Sequence, residues 1–338
     1  MRATTQSPTR NLAVPLFAKL GLILAAVLIL WASPILSGSH AAAAEKLRVG
    51  RAVPQAFSFV PIDVGMKNGI FGKYGIEIES IAFAGDAKMQ QAAAADSIDI
   101  LLGSGPAMAF IVKGAPIKGV AAMAGRPLLL SLIVKSDSPV KTVADLKGKR
   151  VSVSTVGSLT YWLVSELSRQ QGWGPEGIVI APMGATKPQI AALMRKDIDG
   201  MVTDIATAFQ LEKNGEARIL TRFGEMVRDF HIHVIFATDK VIAAQPDAVR
   251  AFLRGWFDTI AFMRKNKANS VGIAKEIMNV DETIASRAYD ELMPMFSDHG
   301  RFDGKALAVL RKSYVELKVL DAEPDMAKLY TEAFLPRP

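Results

Sequence analysis

The sequence predicts an α/β protein of two lobes joined by two hinge crossings, with a helical C-terminal part. Three observations predict it. Short apolar runs alternate with helix-forming stretches, the grammar of sheets covered by helices. That grammar restarts after Pro139, so a second βα series follows the first. Beyond Gln245 the pattern turns helical and stays so to Tyr330. A length of 338 residues accommodates about two domains, and a composition with 50% hydrophobic and 22% charged residues provides a sizeable core.

The first segment, 1–44, holds Arg2, Arg10 and Lys19 and no acidic residue. An apolar run at 20–30 follows, then Pro34, Gly38 and alanines at 41–44. A basic start, a short apolar stretch and a small-residue end form a secretory signal peptide. The apolar run is shorter than the roughly 20 residues that span a bilayer. No Arg-Arg pair is present, which points to general secretion. Cleavage after Ala44 takes three basic residues from the formal charge of +7 and leaves a mild, scattered excess, unlike the clustered basic face of a nucleic-acid binder. The expected product is soluble, periplasmic and monomeric.

In the first series, 47–50 reads as a strand, 61–68 as a helix closed by Gly69, and 76–81 as a strand of period two. Glu77 and Glu79 then lie on its solvated face. The Ala-rich stretch 86–95 is a helix with Asp86 as N-cap. Residues 98–102 form a strand, and Pro106 opens a helix that Gly114 ends. Strands at 117–123 and 128–134 complete a parallel sheet. In the second series, strand 151–154 precedes a helix over 158–171, closed by Gly172. Strand 178–181, helix 187–195, strand 199–202, helix 205–213 and strand 218–223 follow, and the apolar strand 231–237 leaves the unit. The expected lobes are 45–136 with 237–338, and 137–236, crossing near 134–139 and 233–237. An internal echo supports related lobes: Ile98-Asp99 leads to Ser104, and Ile198-Asp199 leads to Asp204.

Ligands of open α/β sheets bind at the carboxyl ends of the strands. Ser104 and Gly105 stand at a helix start there, suited to an anion or to a plain cap. Thr155, Gly157, Ser158 and Thr160 repeat the arrangement in the second lobe, without the Lys of a phosphate loop. Of Tyr161 and Trp162, one faces the cleft and the other packs inward; Trp162 is the candidate. Ser58, between Phe57 and Phe59, occupies the matching loop after the first strand. Asp204 either pairs with a ligand ammonium or ring N–H or caps its helix, and Arg126 either reaches an anionic group or is a surface residue. His231 and His233 share a strand face, with no third metal ligand in view, and read as packing. Arg264, Lys265 and Lys267 suit a basic last helical turn. Cys is absent, which excludes disulfides, a thiol nucleophile and a lipoprotein anchor. No nucleophile–base pair, metal constellation or dinucleotide fingerprint appears. Binding without catalysis, cofactor or metal is the expectation.

Several segments carry a family resemblance through their order. They are Leu47-Arg-Val-Gly50, the stretch from Phe59 to Glu79, Ile98-Asp-Ile-Leu-Leu-Gly-Ser104, Val143-Ala-Asp-Leu-Lys-Gly-Lys-Arg-Val-Ser-Val153, Ala191-Ala-Leu-Met-Arg-Lys-Asp-Ile-Asp-Gly200 and Leu329-Tyr-Thr-Glu-Ala-Phe-Leu-Pro336. Together they resemble periplasmic substrate-binding proteins of ABC transporters, in the nitrate/sulfonate/taurine and thiamine-precursor group. The resemblance implies a type II-like periplasmic-binding-protein clamshell. It implies a small organic anion or zwitterion as ligand and an ABC permease of the inner membrane as partner. A thiamine-pyrimidine-precursor binder, a related pyrimidine-forming enzyme and a ligand sensor for a membrane receptor are the alternatives it leaves open.

Overall fold

The computed structural model describes residues 44–156 and 158–337. Residues 1–43, which carry the expected signal peptide, and Gly157 lie outside them. The first series comprises β1 (Glu45–Arg51), α1 (Val60–Lys67), β2 (Ile76–Ala82), α2 (Asp86–Ala94), β3 (Ile100–Ser104), α3 (Ala109–Val112) and β4 (Ile117–Ala124). The second comprises β5 (Leu130–Lys135), β6 (Arg150–Val153), α4 (Leu159–Gln170), β7 (Val179–Pro182), α5 (Thr186–Met194), β8 (Gly200–Asp204), α6 (Ile205–Lys213), β9 (Ala217–Arg222) and α7 (Phe223–Met226). Then come β10 (His233–Thr238), α8 (Asp239–Ala244), α9 (Pro246–Lys265), α10 (Lys267–Met278), α11 (Glu282–Leu292) and α12 (Gly304–Glu316).

The strands form two five-stranded sheets, ordered β2-β1-β3-β10-β4 and β7-β6-β8-β5-β9. They are two copies of one plan. In each, three parallel strands are followed by one that arrives from the other lobe and runs antiparallel to both neighbours. The expected parallel sheet is therefore mixed. A strand entering directly from a crossing has no covering helix to turn it round, so it inserts in the opposite sense. The crossings also move. β5 pairs with β8 and β9, so the chain leaves the first sheet at 125–129, not near 134–139. β10 pairs with β3 and β4, so the return runs through 223–232, ahead of 233–237.

The internal echo is structural. Just before β3, the Asp99 carboxylate accepts the Arg48 backbone N–H at 2.8 Å; just before β8, Asp199 accepts that of Arg150 at 2.8 Å. β2 shows its period-two pattern, with Ile76 and Ile78 buried and Glu77 and Glu79 exposed. Two local expectations differ. Gly85 takes the N-cap place of α2 at φ 105°, which only glycine adopts freely, and Asp86 becomes the first helical residue. Pro106 opens a 3-10 turn, Gly105–Met108, ahead of the four-residue α3.

One apolar core runs from Leu47, Val49 and Phe236 in the first sheet, through Phe230 and Trp162, to Val151 and Val202 in the second. A smaller core of Ile133, Met201, Ala192 and Leu211 lies apart from it. The C-terminal helices touch both lobes. α9 packs on α1, and α11 packs on α6. Arg287 and Asp281 of the α11 region meet Glu212 at 2.8 Å and Lys213 at 2.5 Å. No described helix is long and apolar enough to cross a membrane.

Candidate ligand site

The second-lobe edge, residues 154–156 and 158, lies between β6 and the twelve-residue α4. A helix leaves its first four N–H groups without intrahelical partners. Ser158 is the N-cap, and its Oγ accepts the Tyr161 N–H at 3.2 Å. The Thr160 Oγ1 accepts the Ser154 N–H at 3.1 Å and lies 3.0 Å from both the Ser154 and the Ser158 Oγ. Three hydroxyls thus cluster at a helix start, half-buried, with Thr155 exposed beside them. Gly157, expected here as a contact residue, lies outside the described residues.

Trp162 points elsewhere. It is 3% exposed, stacks on Phe230 at 5.2 Å, and donates its Nε1–H to Glu316 Oε2 at 3.2 Å. Arg169 joins the same carboxylate, its Nη2 at 2.9 Å. The tryptophan ties α4 to α12 and to the return crossing, while its half-buried neighbour Tyr161 borders a cavity of about 470 Å³.

In the first lobe the donors expected for an anion are engaged by the protein. The Ser104 N–H donates to Asp86 Oδ1 at 3.0 Å, and the Gly105 N–H donates to Ile232 O at 2.9 Å. Pro106 has no N–H. A Cβ on Gly105 would lie 1.9 Å from His231 O, so glycine is required there by the scaffold. What this edge offers is a carboxylate. Burial raises the Asp86 carboxyl above its ordinary range, against the pull of its hydrogen bonds from Ser104, and no cationic side chain pairs with it among the described residues. Sequence reasoning passed over Asp86 because a helix-start Asp reads as a cap. Only the fold brings it, eighteen residues away, onto Ser104.

Ser58 is fully buried in the 3-10 turn Phe57–Phe59, and its Oγ has no partner among the described residues. His233 pairs across the sheet with Ser104, packs edge-on against Phe59 at 4.9 Å, and has an unpartnered Nδ1. Burial pushes its imidazole down to about 3. His231 is buried too, and its Nε2 accepts the Asp303 N–H at 2.9 Å. At the end of β1, Arg51 and Asp63 form a largely buried pair at 2.7 Å that sequence spacing did not reveal. Asp204 caps α6, with Oδ1 accepting the Thr207 N–H at 2.9 Å and Oδ2 its hydroxyl at 2.6 Å. Arg126 is exposed in the first crossing.

Two mixed sheets covered by helices and joined by two crossings are the periplasmic-binding-protein fold. Solved structures share it. The alkanesulfonate-binding protein SsuA from Xanthomonas axonopodis pv. citri, bound to MOPS, aligns with a TM-score of 0.70 at 16% identity, over 85% of this chain and 98% of that one. A ligand-binding component of an ABC-type import system from Staphylococcus aureus, with zinc bound, aligns with a TM-score of 0.73 at 15% identity, over 86% and 97%. The NMT1/THI5-like family profile matches residues 56–270, and this chain belongs to that family. A putative thiamine biosynthesis protein of Haemophilus influenzae is 34% identical over 97 residues, 28% of this chain. That match spans only 31% of the Haemophilus protein.

Proposed function

We propose that this chain is the periplasmic solute-binding subunit of an ABC importer. It captures a small organic anion or zwitterion of the sulfonate type between its lobes and delivers it to a permease in the inner membrane. The observation that carries the reading is the unequal chemistry of the two edges. The Ser154, Ser158 and Thr160 hydroxyls, with Thr155, stand at the start of a long helix, where the macrodipole favours an anionic group. The opposite edge holds Asp86, an acceptor suited to an ammonium or N–H. Ser58, Ser104 and Gly105 complete the first wall, and hinge motion at 125–129 and 223–232 closes the cleft. The lobes move as 44–124 with 233–337, and 130–222. Asp204 acts as a cap, and Trp162 as an interlobe anchor.

The family and its thiamine-linked relative favour one second reading, a pyrimidine precursor as ligand. The same Asp86 and hydroxyls would then meet ring nitrogens and an amino group. Binding is favoured over catalysis in either case, since the chain has no Cys and both histidines near the cleft are buried in packing. A thermal-shift screen of taurine, alkanesulfonates, nitrate, carboxylates and aminopyrimidines tests the proposal. A ligand of the folded state raises the melting temperature with concentration. A rise with sulfonates supports the first reading and a rise with aminopyrimidines alone the second; no rise with any class removes both.

A further inference from the structure

The cavity of about 470 Å³ adjoins the second-lobe part of the candidate site through Val156 and Tyr161 but includes none of the first sheet's edge. Its lining is Lys113 after α3, Val156, Tyr161 on α4, and residues 316–319 at the end of α12. The walls therefore come from both lobes. They are also of two chemical kinds. Val156, Tyr161, Leu317 and Val319 supply apolar surface, and Val156 is 70% exposed. Val112 and Val315, next in sequence to lining residues, are exposed as well. Lys113 and Lys318 supply charge, and neither has an acidic partner among the described residues. The one acid in the lining, Glu316, is engaged by Arg169 and Trp162 and lies 3.6 Å from Lys312. The charged lining residues are two lysines against one carboxylate that is already engaged, a net positive balance, and the volume falls within the roughly 300–1,000 Å³ of small-molecule sites.

We propose that this cavity is a second binding site, for an amphipathic organic anion. An aryl or alkyl body lies against Val156, Tyr161, Leu317 and Val319, and the acidic head is held by Lys113 and Lys318. An occupant touching both lobes biases their relative position, so the site couples to cleft closure. The proposal stands whatever the cleft binds.

The test is a fluorescence titration of the chain from residue 45 with 1-anilinonaphthalene-8-sulfonate, an aryl anion whose emission rises in apolar surroundings. One saturable site is expected. The Lys113→Glu/Lys318→Glu variant should bind at least tenfold more weakly, Lys113→Gln/Lys318→Gln should fall between, and Val156→Asp should also lose affinity. Near-ultraviolet circular dichroism should match the parent in each. Equal affinity in the charge-reversed variant overturns the proposal. So does a titration that never saturates, or one that responds to Asp86→Asn but not to the lysines, which places the probe in the cleft.

Discussion

The residues that follow β3 and β8 hold matching places in the two lobes, and both give their backbone N–H to a crossing. Gly105 donates to Ile232 O at 2.9 Å, and Ile205 donates to Leu129 O at 2.8 Å. The surroundings differ. At 105 the return crossing lies so close that a Cβ would meet His231 O at 1.9 Å, whereas at 205 the first crossing leaves room for a buried isoleucine. A helix-start N–H at a sheet edge looks like an anion site, yet here the hinge uses both. The lobes then diverge in the side-chain polar groups beside these edges: a carboxylate at Asp86 in the first, hydroxyls at Ser154, Ser158 and Thr160 in the second.

The largest difference is expected from substitution at Gly105 and Ile205. Gly105→Ala forces a side chain into backbone and should cost about 3 kcal/mol, the upper range for overpacking. Ile205→Val removes one methylene and should cost about 1 kcal/mol. Urea unfolding of both variants checks the contrast, and equal losses would mean that the crossings are packed alike.

The response to acid comes next. His233 has a folded value of about 3, well below its ordinary 6.5, because burial disfavours the charged ring. The unfolded chain therefore binds more protons between those values, and stability falls as pH drops from about 6.5 towards 3. Asp86 acts in the opposite sense. Its carboxyl is raised by burial, so the folded state binds more protons above 3.8, and stability falls as pH rises through the raised value. His233→Gln should flatten the acid limb of a stability–pH curve, and Asp86→Asn should remove the opposing slope. A curve unchanged by His233→Gln would show that the ring is not held neutral.

A smaller contrast sits at the paired aspartates before β3 and β8. Asp99 also holds the Arg48 guanidinium at 2.7 Å and is 15% exposed, while Asp199 lies 3.9 Å from Lys149 and is 37% exposed. Asp99→Ala should cost about 2 kcal/mol, within the range for hydrogen bonds to charged groups, and Asp199→Ala about 1 kcal/mol. Equal losses in thermal melts would assign the strength to the backbone contact alone, which is 2.8 Å in both. Smallest is Asp204→Ala, a lost cap of about 1 kcal/mol with ligand affinity unchanged. A loss of affinity would return Asp204 to the cleft.

The sequence resolved most of the strand and helix order, because period-two runs such as 76–81 and the Gly and Pro boundaries act locally. It also caught the echo around Asp99 and Asp199. It misplaced the hinges because 128–134 is an apolar run close behind β4, and nothing local distinguishes a strand of the same sheet from one inserted into the other. The hydroxyl cluster was legible because Ser158 and Thr160 are near neighbours of Ser154. The contact of Asp86 with Ser104 was not, since the two are distant in sequence, and neither was the capture of Trp162 by Phe230 and Glu316.

The measurement that bears most directly on the account is isothermal titration of the ligand found by the screen, against the parent and Ser158→Ala. Under the proposed function the second-lobe hydroxyls hold the ligand's anionic group, and a hydrogen bond to a charged group contributes roughly 1.5–3 kcal/mol. Ser158→Ala should therefore bind at least about tenfold more weakly, at roughly 1.4 kcal/mol per decade, while its unfolding free energy falls by about 1 kcal/mol. Affinity equal to the parent's in a folded Ser158→Ala variant would contradict the account and leave that cluster as a helix cap alone.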